Sequence, residues 1–274
     1  MTYAIHRGAL VAAVLAWGAA GAQAETPPAP EGWSVTLAFG AIAAPKYLGD
    51  DDYELSLRPG FRVAFGDRFF ASIEEGIGYN AINTDTWRAG PILRYDFGRD
   101  QDGDNPFRVS GGGTNDLAGL GDVDGTVELG GFAERDFGDF TARLELRQGL
   151  GGGHEGLVGE AGVTYRTILR GLGAPVFLSV GPNLQFASSD YVSAFFDVNA
   201  AQSAASGLAV YDAGGGITSY GIGSALIYPL GDRVAIVGFA DYDILAGDVA
   251  DSSLVRQRGS RHQGRFGLFT TYRF

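Results

Sequence analysis

The 274-residue chain contains no cysteine. That excludes disulfides, thiolate zinc sites, iron–sulfur clusters and cysteine nucleophiles together. Lysine is almost absent, Lys46 being the only one, and Met1 is the only methionine. Lys and Arg number 20 against 32 Asp and Glu, a formal charge of −12. Phosphate backbones need clustered basic side chains, and no such cluster exists here, so nucleic acid is not a partner. Long hydrophobic runs are also missing. Beyond the first residues nothing approaches the roughly 18 apolar residues of a transmembrane helix. If this chain spans a membrane, it must do so as a closed barrel, because backbone polar groups in lipid have to pair internally.

The N-terminus reads as an export signal. MTYAIHR is weakly basic, GALVAAVLAWGAAGA is apolar but too short to span, and Ala22-Gln23-Ala24 is a small-x-small cleavage site before Glu25. Residues 1–24 are therefore expected to be a signal peptide that takes the chain through the inner membrane. Cleavage leaves 19 basic against 32 acidic residues, −13. The Pro-rich PPAPEG predicts a flexible periplasmic lead-in over 25–33, and 34–274 form the expected barrel.

What is abundant is glycine, at 44 residues, and aromatics, with 18 Phe and 12 Tyr. Such a composition suits many strands with sharp turns. The strands show in the alternation. Thr141-Ala142-Arg143-Leu144-Glu145-Leu146-Arg147 carries Ala142, Leu144 and Leu146 on one face and charges on the other. A soluble sandwich buries the apolar face, whereas a membrane barrel turns it to lipid and lines a lumen with the charges. Alternation alone does not separate these. Three features favour the barrel, an all-β, antiparallel up-and-down transmembrane fold. About twelve strands are countable, near 34–43, 53–65, 69–79, 86–97, 107–113, 123–136, 140–149, 155–166, 175–187, 212–228, 234–245 and 264–274, and an even number suits a single-chain barrel. Tight turns at 66–68, 138–139 and 231–233 alternate with long gaps at 44–52, 114–122, 188–211 and 246–263. Two gaps fit poorly: 98–106 is long for a periplasmic turn and 80–85 is short for an outer loop. Aromatics also gather at segment ends, as interfacial girdles require.

The final strand has Phe266, Leu268, Tyr272 and Phe274 on its lipid face, next to outer-membrane lipid and lipopolysaccharide, and closes the barrel against the first strand. Its aromatic end resembles the signal read by the barrel-assembly machinery. The inner faces gather Arg62, Arg94, Glu128, Arg143, Glu145, Arg147, Glu160 and Arg166. If these interlock, the lumen is plugged; if water separates them, it conducts.

Chemistry-bearing motifs are few. Asp50-Asp51-Asp52 offers clustered oxygens to Ca²⁺ but reads first as a solvated loop tip; Asp100/Asp102/Asp104 starts a calcium-loop spacing that fails at Gly111, where a bidentate Glu belongs, and Asp122/Asp124 is equally incomplete. The triple glycines at 111–113 and 214–216 lack a following GK[ST] and precede no expected helix. His154 and His262, the latter near Ser260, are loop residues without a catalytic signature. No catalytic residue, metal site or cofactor is expected.

Two stretches resemble the MipA/OmpV family of outer-membrane proteins. Ala44-Pro45-Lys46-Tyr47-Leu48-Gly49-Asp50-Asp51-Asp52-Tyr53 is similar to its first-loop pattern. Leu245-Ala246-Gly247-Asp248-Val249-Ala250-Asp251-Ser252-Ser253-Leu254-Val255 is similar to its late one. The Tyr95-Asp96-Phe97-Gly98-Arg99 strand end and the terminal Tyr-Arg-Phe also fit. Asp50, Ser253 and the Tyr191-Val192-Ser193 region depart from the pattern. The resemblance implies a Gram-negative outer-membrane barrel and a non-enzymatic scaffold for peptidoglycan synthesis and remodelling enzymes, such as a lytic transglycosylase and a peptidoglycan synthase. A narrow channel for small polar solutes is the alternative.

Overall fold

A computed structural model describes residues 32–274. The expected signal peptide and all but the end of the lead-in lie outside the described residues. The chain forms strands β1 (Trp33–Pro45), β2 (Tyr53–Phe65), β3 (Phe69–Ser72), β4 (Gly76–Tyr79), β5 (Ile82–Asn83), β6 (Trp87–Asp96) and β7 (Arg108–Ser110). These are followed by β8 (Thr126–Phe137), β9 (Phe140–Gly149), β10 (Leu157–Leu172), β11 (Ala174–Ala187), β12 (Gly216–Pro229), β13 (Val234–Leu245) and β14 (His262–Arg273). Twelve staves close into an antiparallel barrel, with β5 continuing the line of β4 against β6 and β7 lying beside the upper part of β2. The seam is β1 on β14, in register from Thr36↔Arg273 to Ala43↔Phe266.

Alternation assigns the faces. Leu144 and Leu146 are 44% and 39% exposed, while Glu145 and Arg147 between and beside them are 1%. Phe266, Leu268, Tyr272 and Phe274 likewise point outward from β14. The apolar surface is thus on the outside of the cylinder, the inverse of a water-soluble protein. Glycine richness has a packing cause. Phe239 lies across the strand from Gly267, and Phe70 across from Gly78, each ring covering the space a side chain on the glycine would need.

The strand count agrees with expectation, but two of its members do not. Residues 69–79 form two staves, β3 and β4, joined by a turn at 73–75, with Gly76 at φ +79°. Residues 107–113 supply no stave. These two differences remove the poorly fitting gaps. The segment at 84–86 is a short turn on the end shared by 66–68, 138–139, 173 and 230–233, and 97–125 is one long loop on the opposite, outer end.

The outer loops also carry helices that period-two reading does not anticipate: α1 (Ser189–Phe196), α2 (Ala200–Ser206), α3 (Gly247–Asp251) and α4 (Ser253–Arg258). Asn199 and Gln202 form a capping box on α2, and Ser252 caps α4. Tyr191, Val192, Phe195 and Phe196 pack with Leu245, Val249, Ala250 and Val255. A second cluster joins Tyr47, Leu117, Leu120, Val198, Leu208 and Leu254. The loops therefore make a cap with its own apolar core over the outer mouth. No helix among the described residues is long and apolar enough to cross a membrane.

A Cβ added to Gly267 would overlap the Phe239 ring, whereas one on Gly238 would meet nothing nearer than 3.8 Å. Gly267→Val is expected to cost about 1–3 kcal/mol through overpacking, and Gly238→Ala to change little. Urea unfolding in detergent micelles, followed by tryptophan fluorescence, measures both.

Candidate functional site

The inner faces of β6, β8, β9 and β10 assemble a belt of charge. Register places Arg94 beside Glu128, Arg88 beside Glu134, Glu134 beside Arg143, and Glu145 beside Glu160. Arg147 is the hub. Its guanidinium bonds Glu128 at 2.8 Å, Glu160 at 2.9 Å and Glu145, and its side chain has 0% exposure. Arg94 reaches Glu145 at 3.2 Å and Glu160 at 3.5 Å. Arg143 bridges Glu134 and Glu145, with its guanidinium 4.8 Å over the Phe132 ring. Arg88 holds Glu134 and Asp136 at 3.1 and 3.4 Å, and Arg166 stands 4.0 Å from Asp136. Arg62 lies apart, paired with Glu75 at 2.7 Å. Elsewhere the inner wall holds an apolar cluster, Ala225, Ile227, Ala235, Val237 and Phe239 packed beside Ile42, Phe177 and Phe269, next to buried polar groups such as Asp241, Asp243 and Gln263. Buried ions need such pairing, since isolated charges out of water cost several kcal/mol each.

His154, in the loop before β10, ties the belt to the cap. Its Nε2 lies 3.5 Å from Asp96 Oδ2 and 3.3 Å from Glu128 Oε1, and its ring meets Tyr191 edge-on at 4.9 Å. Burial lowers its proton affinity. Hydrogen bonding to Asp96 and Glu128 and their charge outweigh that and raise the pKa to about 9. The Gly156 N–H points at Nδ1 from 3.2 Å, which favours the neutral ring. Two enclosed carboxylates outweigh one amide at the long end of the hydrogen-bond range, so the ring is cationic at neutral pH.

These three ligand atoms lie within 4.8 Å of one another. The two nitrogen–oxygen distances approximate the edge, about 3.4 Å, of a tetrahedron with bonds of about 2.1 Å to a metal. Charge decides between metal and proton. In the belt five arginines (88, 94, 143, 147 and 166) face six carboxylates (96, 128, 134, 136, 145 and 160). One proton on His154 balances them, and a divalent ion would overshoot.

A family model described as "MltA-interacting protein MipA" matches residues 37–274. The chain belongs to the MipA family. Outer membrane protein Omp26La of Vibrio anguillarum is 29% identical over 244 residues, covering 86% of this chain and 84% of that protein. OmpV of Vibrio cholerae is 28% identical over the same shares. Both carry the names of outer membrane proteins, not of enzymes, and the MipA barrel described here is an outer membrane protein. Among solved structures, OmpT of Vibrio cholerae aligns with TM-score 0.35 and 8% identity over 88% of this chain and 97% of that one. OprD of Pseudomonas aeruginosa aligns at 0.37 and 13%, over 89% and 65%.

The two stretches that carry the MipA resemblance meet at the outer end of the seam. Pro45 closes β1. The Tyr47 hydroxyl donates to the Arg258 carbonyl at 3.0 Å, and the Gly49 N–H donates to Gln263 Oε1 at 3.1 Å. Asp50 forms a backbone bridge with Gly259, Lys46 pairs with Asp52 at 2.8 Å, and Tyr53 Oη accepts from the Gly264 N–H at 2.9 Å. On the late stretch Gly247 opens α3 at φ +53°, Asp248 accepts from the Gly214 N–H at 2.6 Å, and Ser252 caps α4. Asp51 and Asp251 face solvent. These residues build a clasp rather than a reaction centre.

The other candidates stay scattered. Asp50, Asp100 and Asp122 spend carboxylate oxygens on the backbone amides of Asp52, Asp102 and Gln101. His262 shares a 2.7 Å hydrogen bond with the Tyr242 hydroxyl, and only its backbone N–H meets Ser260. The His154 triad escapes sequence reading because its members come from three separate segments with no shared spacing.

Arg147→Ala removes the guanidinium that three buried carboxylates share, leaving an excess of buried negative charge, and is expected to destabilise the barrel by about 3–5 kcal/mol in urea unfolding. His154 has a folded pKa near 9, above the 6.5 of a free ring. Its contribution is complete below pH 6.5 and vanishes as pH rises through 9. The unfolding midpoint should fall across that window, and His154→Gln should lose that part of the fall.

Proposed function

We propose that this barrel is a non-conducting, non-enzymatic scaffold or adaptor that holds peptidoglycan-remodelling enzymes at the outer membrane. The family description names an interaction with MltA, so the partner class is a lytic transglycosylase, with a peptidoglycan synthase as a second client. The carrying observation is the enclosed Arg147 with its three carboxylates. A conducting lumen keeps water between its charges, and here the ions bond one another directly. The loop cap reinforces the seal. A barrel that moves nothing along its axis acts through its surfaces, and the periplasmic surface consists of short polar turns such as Asp67-Arg68, Gly138-Asp139 and Asp232-Arg233.

The competing reading is a narrow channel for small polar solutes. Planar-bilayer recording separates the two. The wild-type barrel should show no steady unitary conductance. Steady conductance altered by Arg143 or Arg147 substitution would establish the channel instead. In parallel, affinity purification of the tagged barrel from solubilised envelopes should retain a lytic transglycosylase, and repeated failure to do so contradicts the scaffold.

A further inference from the structure

The barrel wall is incomplete on one side. The β3–β4 hairpin is only four residues tall, between neighbours β2 and β6 of 13 and 10 residues. Pairing of β2 on that side stops at Arg62↔Ser72 and resumes at Ser56↔Arg108, where β7 begins. Pairing of β6 with β4 stops at Leu93↔Ile77. Above the hairpin tip, three strand spacings, about 14 Å, separate the lines of β2 and β6, and the Arg58–Phe61 stretch of β2, paired with β1 on one side, has no strand on the other.

One position of that edge has no donor to satisfy. The Leu57 N–H donates outward to the Phe107 carbonyl, and ladder alternation turns residues 59 and 61 to the same side. Residue 59 is proline, which has no N–H to leave unsatisfied. Irregular backbone at membrane depth is tolerated only beside protein or a cavity. The rim is apolar outside, with Phe61, Ile73, Tyr95 and Phe107 exposed. Behind it lies a carboxylate. Glu74, at the hairpin tip, places Oε1 3.7 Å from where a Cβ on Gly60 would stand, against the inner side of the open edge. Its Oε2 is enclosed and has no hydrogen-bond partner. Neighbouring Glu75 is taken by Arg62. Arg265 is held by Asp241 at 2.7 Å, and its charge and that of Arg58 act on Glu74.

We infer that this notch is a lateral binding site for a single-chain amphiphile with a primary ammonium head, the tail lying in the outer leaflet and the head bonded to Glu74. An ammonium supplies both the charge and the donor that the enclosed oxygen lacks. The site opens sideways and leaves the axial seal intact, so it stands independently of the scaffold reading.

Tryptophan quenching in phosphatidylcholine vesicles tests it. Trp33 and Trp87 are replaced by Phe, and one reporter is placed at the rim, Ile73→Trp, or on the closed wall, Leu268→Trp. Quenching by a chain-brominated long-chain primary amine is divided by quenching from brominated phosphatidylcholine, which corrects for depth. That ratio should be at least twofold higher at 73 than at 268. Glu74→Gln should bring the two together, and a chain-brominated fatty acid should show no difference. Equal ratios in the Glu74 protein, an excess that survives Glu74→Gln, or the same excess with the fatty acid would each overturn the proposal. Heat-modifiable gel mobility confirms that each variant is a folded barrel.

Discussion

Lipid offers no hydrogen bonds, and the architecture follows from that. Backbone N–H and C=O groups that face acyl chains must find partners in the chain, so the sheet has to close, and it closes where β14 meets β1. Closure fixes the faces, because a one-residue slip would turn Arg147 and Glu145 to the acyl chains and Leu144 to the lumen. The two stretches that resemble the MipA family pattern meet above this seam, Gly49 against Val255 and Tyr47 beside Leu254. Asp50 with Gly259, Tyr47 with Arg258 and Gly49 with Gln263 lock the first and last outer loops together above it.

With the outside given over to lipid, the interior inherits the charge. Water would be the cheapest partner for those ions, but the lumen supplies carboxylates to guanidiniums instead. Each arginine of the belt has a specific anion, and the count closes only with a proton on His154. This makes His154 the link between the wall and the cap, since its ring also rests on Tyr191 of α1. The ion pairs of the belt thus bond one another directly across the inner faces of β6, β8, β9 and β10. The barrel's open features are on its surfaces: the periplasmic turns and the notch above β3–β4.

Period-two alternation made most of the wall legible. Residues 140–147 and 264–274 could be assigned by face because a strand has only two sides. The same signal failed where the chain broke its rhythm briefly. In Phe69–Tyr79 the turn is marked only by Gly76, so two short staves looked like one strand. Residues 107–113 are strand-like but lie beside β2 without joining the wall. The helices were hidden because Tyr191, Val192, Phe195 and Phe196 follow a helical spacing inside stretches read as loops. Alternation assigned eight charges to an expected inner face, but it could not name their partners. Strand registers decide those, and no local sequence feature encodes that Asp96, Glu128 and His154 converge.

The central claim is that apolar faces look out at acyl chains while ionic faces look in. A spin-label scan of β9 in vesicles addresses it most directly, and the absence of native cysteine makes each single-cysteine label unambiguous. Labels at Phe140, Leu144 and Leu146 should collide readily with lipid-dissolved oxygen, and labels at Thr141 and Glu145 should not, giving a period of two along the strand. A flat profile, or one with the phases exchanged, would contradict the account.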